Sequence, residues 1–240
     1  MTHTHYPYFV SWSGGKDSCL ALQRAIQDYG RPRYLITMLT EEGERSRSHG
    51  LKRSILQAQA DLLGVSILFF NTSWESYEET FINALQELRA QGIEGGVFGD
   101  IKIASNPDWV AHCEWAQKVC AAARMTPHEP LWNDSEESLI ASFLESGIMA
   151  KIIAVKNNCI DTSYLGKVLT AQKINELIEQ RVHPLGETGE FHTLVVDSPL
   201  FTNPLKVIGQ NHYLRGGYWY LDLEQQFRMA ESLSQAQSPP

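Results

Sequence analysis

Tyr8-Phe9-Val10-Ser11-Trp12-Ser13-Gly14-Gly15-Lys16-Asp17-Ser18-Cys19-Leu20-Ala21-Leu22 is the stretch that decides the fold of this 240-residue chain. The first five residues read as a buried strand, and Cys19, Leu20, Ala21, Leu22, Ala25 and Ile26 follow in a helical pattern. Ser13-Gly14-Gly15-Lys16-Asp17-Ser18 joins the two. Adjacent glycines let a backbone approach an anion closely, and the helix start turns free amides and its positive dipole end toward it. Ser13 and Ser18 add hydroxyl donors, and Lys16 adds a mobile positive charge. The segment is a phosphate cradle. It is not a Walker A loop, in which Lys is followed directly by Ser or Thr, because Asp17 intervenes.

Outward from this loop, strand-like runs alternate with amphipathic helical ones. The spacing predicts a strand at 8–12, a helix at 17–29 closed near Gly30 and Pro32, a strand at 34–40 and a helix at about 51–63 stopped by Gly64. A strand at 66–71, a helix at 75–90, a strand at 95–100 and a helix from Pro107 to Arg124 capped by Asn106 follow. Repeated strand-helix units imply an α/β fold, a Rossmann-like parallel sheet covered on both faces. Pro127 and Pro130 break the pattern, which places a domain boundary there. Helices at 135–147 and 170–181 and strands at 149–155, 191–196, 206–213 and 218–223 make a smaller C-terminal α+β domain. The expected units are residues 1–126, 127–230 and a loose tail at 231–240.

Composition narrows the function classes. A net charge of -8 argues against a broad nucleic-acid surface, and 43% apolar content is ample for a core. No charged leader and no run of eighteen apolar residues is present, so a cytoplasmic protein is expected. Cys19, Cys113, Cys120 and Cys159 contain no C-x-x-C pair, and Cys113 and Cys120, seven apart on a helix, read as packing residues. Arg45, Arg47, Lys52 and Arg53 form the one compact basic group, either a solvated helix start or a clamp for phosphates or an anionic substrate.

Ligands of open α/β sheets lie at the carboxyl ends of the strands. That rule gathers the phosphate loop, Leu39 and Thr40 after the second strand, and Gly99 and Asp100 after the strand near Val97. Asp100 reads as a magnesium or amine ligand, or as a turn residue beside Gly99. His49, in Ser48-His49-Gly50, reads as a nucleotide contact or as surface. A second dense polar segment, Gly186-Glu187-Thr188-Gly189-Glu190-Phe191-His192-Thr193, puts two carboxylates and a histidine just before a strand.

The Ser13–Ser18 loop resembles the PP-loop of the ATP pyrophosphatases, which split ATP into AMP and pyrophosphate. Together with the 186–193 segment, Gly99-Asp100, Pro130-Leu131-Trp132 and Asp197-Ser198-Pro199-Leu200-Phe201, the chain resembles the diphthine-ammonia ligase family over about residues 8–205. The resemblance implies a PP-loop (HUP-type) ATP-binding domain, a family-specific substrate domain and an active cleft between them. It implies ATP with magnesium, which adenylates a carboxylate, diphthine on elongation factor 2 in the family's reaction, and ammonia, which then forms the amide. Ser13, Gly14, Gly15, Lys16, Asp17 and Ser18 carry over as pyrophosphate binders, with Leu39, Thr40, His49 and Gly99 around the nucleotide. Lys16, Asp100, Glu187, Glu190 and His192 are the expected catalytic residues, and Asp17 and Asp100 the expected magnesium ligands. The second motif departs from the family's usual Gly-Glu-Gly-Gly-Glu-(Phe/Tyr)-Glu-Thr at Thr188 and His192, a change that bears on metal, ammonia or acceptor recognition. An NAD synthetase-like or tRNA-modifying PP-loop enzyme, and a non-catalytic nucleotide sensor, stay open, as does assembly into a homodimer.

Overall fold

In the computed structural model, residues 6–102 and 109–226 are described. The first sheet is all parallel, in the order β3-β2-β1-β4-β5, built from β1 (Tyr8–Ser11), β2 (Tyr34–Leu39), β3 (Ser66–Asn71), β4 (Gly95–Val97) and β5 (Thr126–His128). Helices α1 (Lys16–Tyr29), α2 (Arg53–Leu63), α3 (Tyr77–Ala90) and α4 (Trp109–Ala122) supply the crossovers. β5 carries the parallel sheet to His128, across the boundary that the two prolines suggest at 126. Pro127 costs nothing on this outermost strand, where one side of the backbone needs no ladder partner. The expected cap Asn106 and the tail at 231–240 lie outside the described residues.

Alternation along the strands divides the core. Phe9, Ile36 and Met38 face a cluster with Phe81, Leu85, Leu88 and Val119 of α3 and α4. Tyr8, Val10, Leu35 and Leu39 face the opposite layer, which continues through Leu22 of α1 and Leu56 of α2 into Ile152, Leu194 and Val195 of the C-terminal half. The two halves therefore share one apolar core. Gly96 permits the central packing, since a Cβ there would stand 2.2 Å from the Phe9 ring.

The second sheet is antiparallel, in the order β7-β6-β9-β8, from β6 (Met149–Lys156), β7 (Phe191–Asp197), β8 (Val207–Arg215) and β9 (Tyr218–Gln225). Two helices accompany it, α5 (Glu136–Glu145) and α6 (Ala171–Glu179). Their starts follow from capping side chains: Ser135 accepts from the Ser138 amide and Thr170 from the Lys173 amide.

Two features of this topology place the site. The chain runs outward from β1 to β3 and then crosses to β4, so strand order reverses between β1 and β4 and opens a crevice above their carboxyl ends. β7 lies against the loop that follows β1, where the Val195 amide donates to the Gly14 carbonyl at 2.9 Å.

Candidate functional site

Gly14 takes φ +80°, a conformation that favours glycine, and α1 begins at Lys16 directly beyond Gly15. The Ser13 hydroxyl lies 3.1 Å from that of Ser18 and accepts from the Gly15 amide at 3.2 Å, which closes the loop on itself. Gly99, at the end of β4, packs against the first turn of α1: a Cβ there would meet backbone atoms of Asp17 and Ser18 at 2.8 Å. Its smallness lets the two loops share the crevice.

The C-terminal half completes the loop. The Lys16 amide donates to the Thr193 hydroxyl at 3.1 Å. The Lys16 ammonium, only 3% exposed as a residue, donates to Asp17 Oδ2 at 2.8 Å, to the Leu185 carbonyl at 2.5 Å and to Glu187 Oε1 at 3.3 Å. Burial works against its charge, but Asp17 and Glu187 hold its pKa above the ordinary lysine value. The converse holds for the acids. Burial first, then Glu129 and Asp17, pushes Asp100 up to about 7. Burial and Asp17 likewise raise Glu187, with Lys16 opposing. One ammonium thus serves a crowd of carboxylates, a site with an appetite for further positive charge.

Two histidines sit over the loop. A Cβ on Gly15 would stand 2.7 Å from His49 Nε2, and the His49 ring lies 4.6 Å from that of His192. Burial and the neighbouring Lys16 lower both, with His192 falling to about 4 and His49 also opposed by His192. Both are neutral imidazoles at physiological pH.

The structure brings Ser13–Ser18, His49, Gly99, Asp100, Glu187 and His192 to one crevice. Thr40 stands beside it, buried, with its amide on the Arg45 carbonyl at 2.8 Å. Leu39 is fully buried in the core, so it offers the crevice backbone alone. Glu190 turns into its own loop, accepting from the His183 amide at 3.3 Å, the Thr188 amide at 3.0 Å and the Thr188 hydroxyl. Three of the four basic residues are spent elsewhere: Arg45 and Lys52 both reach Asp222 at 3.0 Å, and Arg53 lies over Phe69, while Arg47 pairs with Glu41 at 3.1 Å. Among the described residues no group of three His, Cys, Asp or Glu is arranged to hold a metal ion.

Gln59 escapes a reading of motifs. Fully buried on α2, it accepts from the Trp12 indole at 3.0 Å and donates to the Gly14 carbonyl at 3.0 Å and the Val195 carbonyl at 2.8 Å. Its signal in the sequence is a polar residue on the apolar stripe of Ile55, Leu56, Ala60 and Leu63.

Residues 8–126 match the diphthamide synthase N-terminal domain, and residues 135–229 match the diphthamide synthase C-terminal domain. The chain belongs to the diphthine-ammonia ligase family. A diphthine-ammonia ligase from Homo sapiens is 34% identical over 95 residues, covering 38% of this chain and 36% of that protein. One from Danio rerio is 34% identical over 89 residues, covering 35% of each. One from Schizosaccharomyces pombe is 33% identical over 90 residues, covering 35% of this chain and 14% of that protein. The match thus spans little more than a third of these relatives at most. A crystal structure of a predicted subunit of tRNA methyltransferase from Methanocaldococcus jannaschii is similar at 17% identity and a TM-score of 0.40, over 80% of this chain and 97% of that one. Among the described residues no helix is long and apolar enough to cross a membrane.

Proposed function

We propose that this family member is an ATP-dependent, amide-forming ligase of the PP-loop type. Residues 1–126 would bind ATP, and residues 127–230 would bind the acceptor. The β- and γ-phosphates of ATP would lie on the Ser13–Ser18 loop, with the adenosine against the Leu39 backbone, His49 and Gly99. An acceptor carboxylate oxygen attacks the α-phosphorus in line, and the bond to the bridging oxygen breaks to release pyrophosphate. Ammonia then attacks the acyl carbon, AMP leaves and one proton is lost. The acceptor in relatives named for it is diphthine; here it is a carboxylate whose class is argued below.

The observation that carries this reading is Lys16, held at the start of α1 between Asp17 of its own domain and Glu187 of the other. An ammonium fixed there is a preorganised partner for charge developing on departing pyrophosphate. ATP would take Lys16 from Glu187, which leaves Glu187 to meet ammonia on the acceptor side. Neutral His192 would accept a hydrogen bond from ammonia, and Glu190 would act as a positioning residue by shaping the loop that presents Glu187. Asp17 and Asp100 offer the hard oxygen donors that magnesium prefers, and their crowding favours a cation. With no three-residue cage among the described residues, the remaining ligands would be phosphate oxygens and water. Bound magnesium would neutralise polyphosphate charge.

The test is product analysis with ATP, ammonium and carboxylate acceptors. AMP and pyrophosphate are expected, and Lys16→Ala lowers turnover by about 10²–10³. ADP as product, or full turnover by Lys16→Ala, overturns the reading.

A further inference from the structure

A cleft of about 440 Å³ opens beside the phosphate loop, between the segment after β2 and the β8–β9 hairpin. Its first wall carries Thr40, Ser46, Ser48, Arg47 and Trp74. Trp74 is 62% exposed, with the Arg47 guanidinium 5.2 Å from its ring and Tyr77 stacked at 5.6 Å. The second wall is a run of rings: His192 to Tyr218 at 5.5 Å, Tyr218 to Tyr220 at 6.2 Å, and Tyr220 to Tyr213 at 5.3 Å. Arg215 closes it at the hairpin tip.

Three observations define what fits. The inner end is His192, whose ring touches His49, which in turn covers Gly15; an occupant therefore reaches toward the phosphate loop. Flat aromatic faces on both walls suit a planar ring. Aromatic walls alone would also welcome an organic cation. The charges decide against that: Arg47 and Arg215 line the cleft, and no Asp or Glu is among its lining residues. Glu41 pairs with Arg47 at 3.1 Å, and Glu42 lies within electrostatic reach of both Arg215 and Arg47; both acids are exposed and neither lines the cleft. The Tyr218 hydroxyl donates to the Gly189 carbonyl at 2.6 Å, which couples this wall to the loop carrying Glu187.

We propose that this cleft is the acceptor site, and that the acceptor is a planar, ring-bearing molecule with a negative group besides its reacting carboxylate. The proposal rests on the ligase reading above and names its substrate class. The carboxylate points inward past His192 to the α-phosphorus, and the second anion stays outside against Arg215 and Arg47. In that reaction carboxylate plus ATP yields acyl adenylate and pyrophosphate, and ammonia with the acyl adenylate yields amide, AMP and a proton.

Two matched probes test it by Trp fluorescence or equilibrium dialysis on the full chain loaded with magnesium and α,β-methylene-ATP. Benzene-1,4-dicarboxylate presents the ring, the inward carboxylate and an outer anion. (4-Carboxyphenyl)trimethylammonium keeps the first two and inverts the outer charge. The dianion is expected to bind on the order of tenfold tighter. Arg215→Gln, an exposed position that leaves the thermal midpoint unchanged, should erase most of that ratio, and Trp74→Leu should weaken both probes. Equal or tighter binding of the zwitterion, binding of neither probe, or loss of dianion binding when the nucleotide analogue is added to the nucleotide-free chain overturns the proposal. The last result would hand the cleft to the nucleotide. Failure of the ligase reading looks different: the dianion binds with the expected preference, but ATP gives no AMP with any acceptor.

Discussion

Replacing Gln59 by Met tests whether the phosphate loop is held from behind by a single amide. Met matches Gln in length and volume but cannot form its three hydrogen bonds. The Gly14 carbonyl would keep one partner, the Val195 amide at 2.9 Å. The Trp12 indole, which donates at 3.0 Å, and the Val195 carbonyl, which accepts at 2.8 Å, would each lose the partner that Gln59 provides. Each buried group left unmatched costs about 1–3 kcal/mol, so the loss is about 2–6 kcal/mol. Gln57→Met, on the exposed face of the same helix, should change stability by under about 0.5 kcal/mol. Urea unfolding followed by Trp fluorescence measures both. Because Gln59 also fixes the Gly14 peptide, KM for ATP should rise about tenfold, a change of about 1.4 kcal/mol in binding. A loss below about 1 kcal/mol with unchanged KM would refute the reasoning.

Asp100→Asn should raise the thermal midpoint at pH 8 and leave it unchanged near pH 4. The folded-state pKa of about 7 stands above the ordinary 3.8, so the wild type loses stability as pH climbs from about 4 through 7. That rise corresponds to about 4 kcal/mol at most, recovered in the variant while ligase activity falls. Gly99→Ala forces a methyl group to 2.8 Å from the backbone of Asp17 and Ser18, which no side-chain rotation relieves. A stability loss of about 2–3 kcal/mol with weakened ATP binding by calorimetry is expected, and wild-type values on both would count against the packing argument. Glu190→Ala removes the acceptor for the His183 and Thr188 amides. Limited proteolysis should then cut between residues 183 and 190 at least tenfold faster, and unchanged cleavage would show that the loop needs no internal brace.

The sequence by itself determined the local features. Strand, phosphate loop and helix were legible at Tyr8–Leu22 because an anion cradle is contiguous in the chain and its glycines, serines and lysine carry their chemistry wherever they lie. Short apolar runs likewise located the strands expected at 34–40 and 66–71, since a parallel strand covered on both faces is apolar along most of its length. The three-residue β5 escaped, because a segment that short, with a proline in it, has no period to read.

Only the tertiary structure decided how the pieces meet. Lys16 finds acceptors 169 and 171 residues away at Leu185 and Glu187, and Gln59 reaches Gly14 across 45 residues and Val195 across 136. Leu39 sinks into the core while Thr40 beside it reaches the cleft, and Glu190 faces its own loop while Glu187 faces the lysine. No local pattern separates such neighbours. Their side chains are aimed by the packing of one sheet on another, and that packing depends on the apolar core the two halves share.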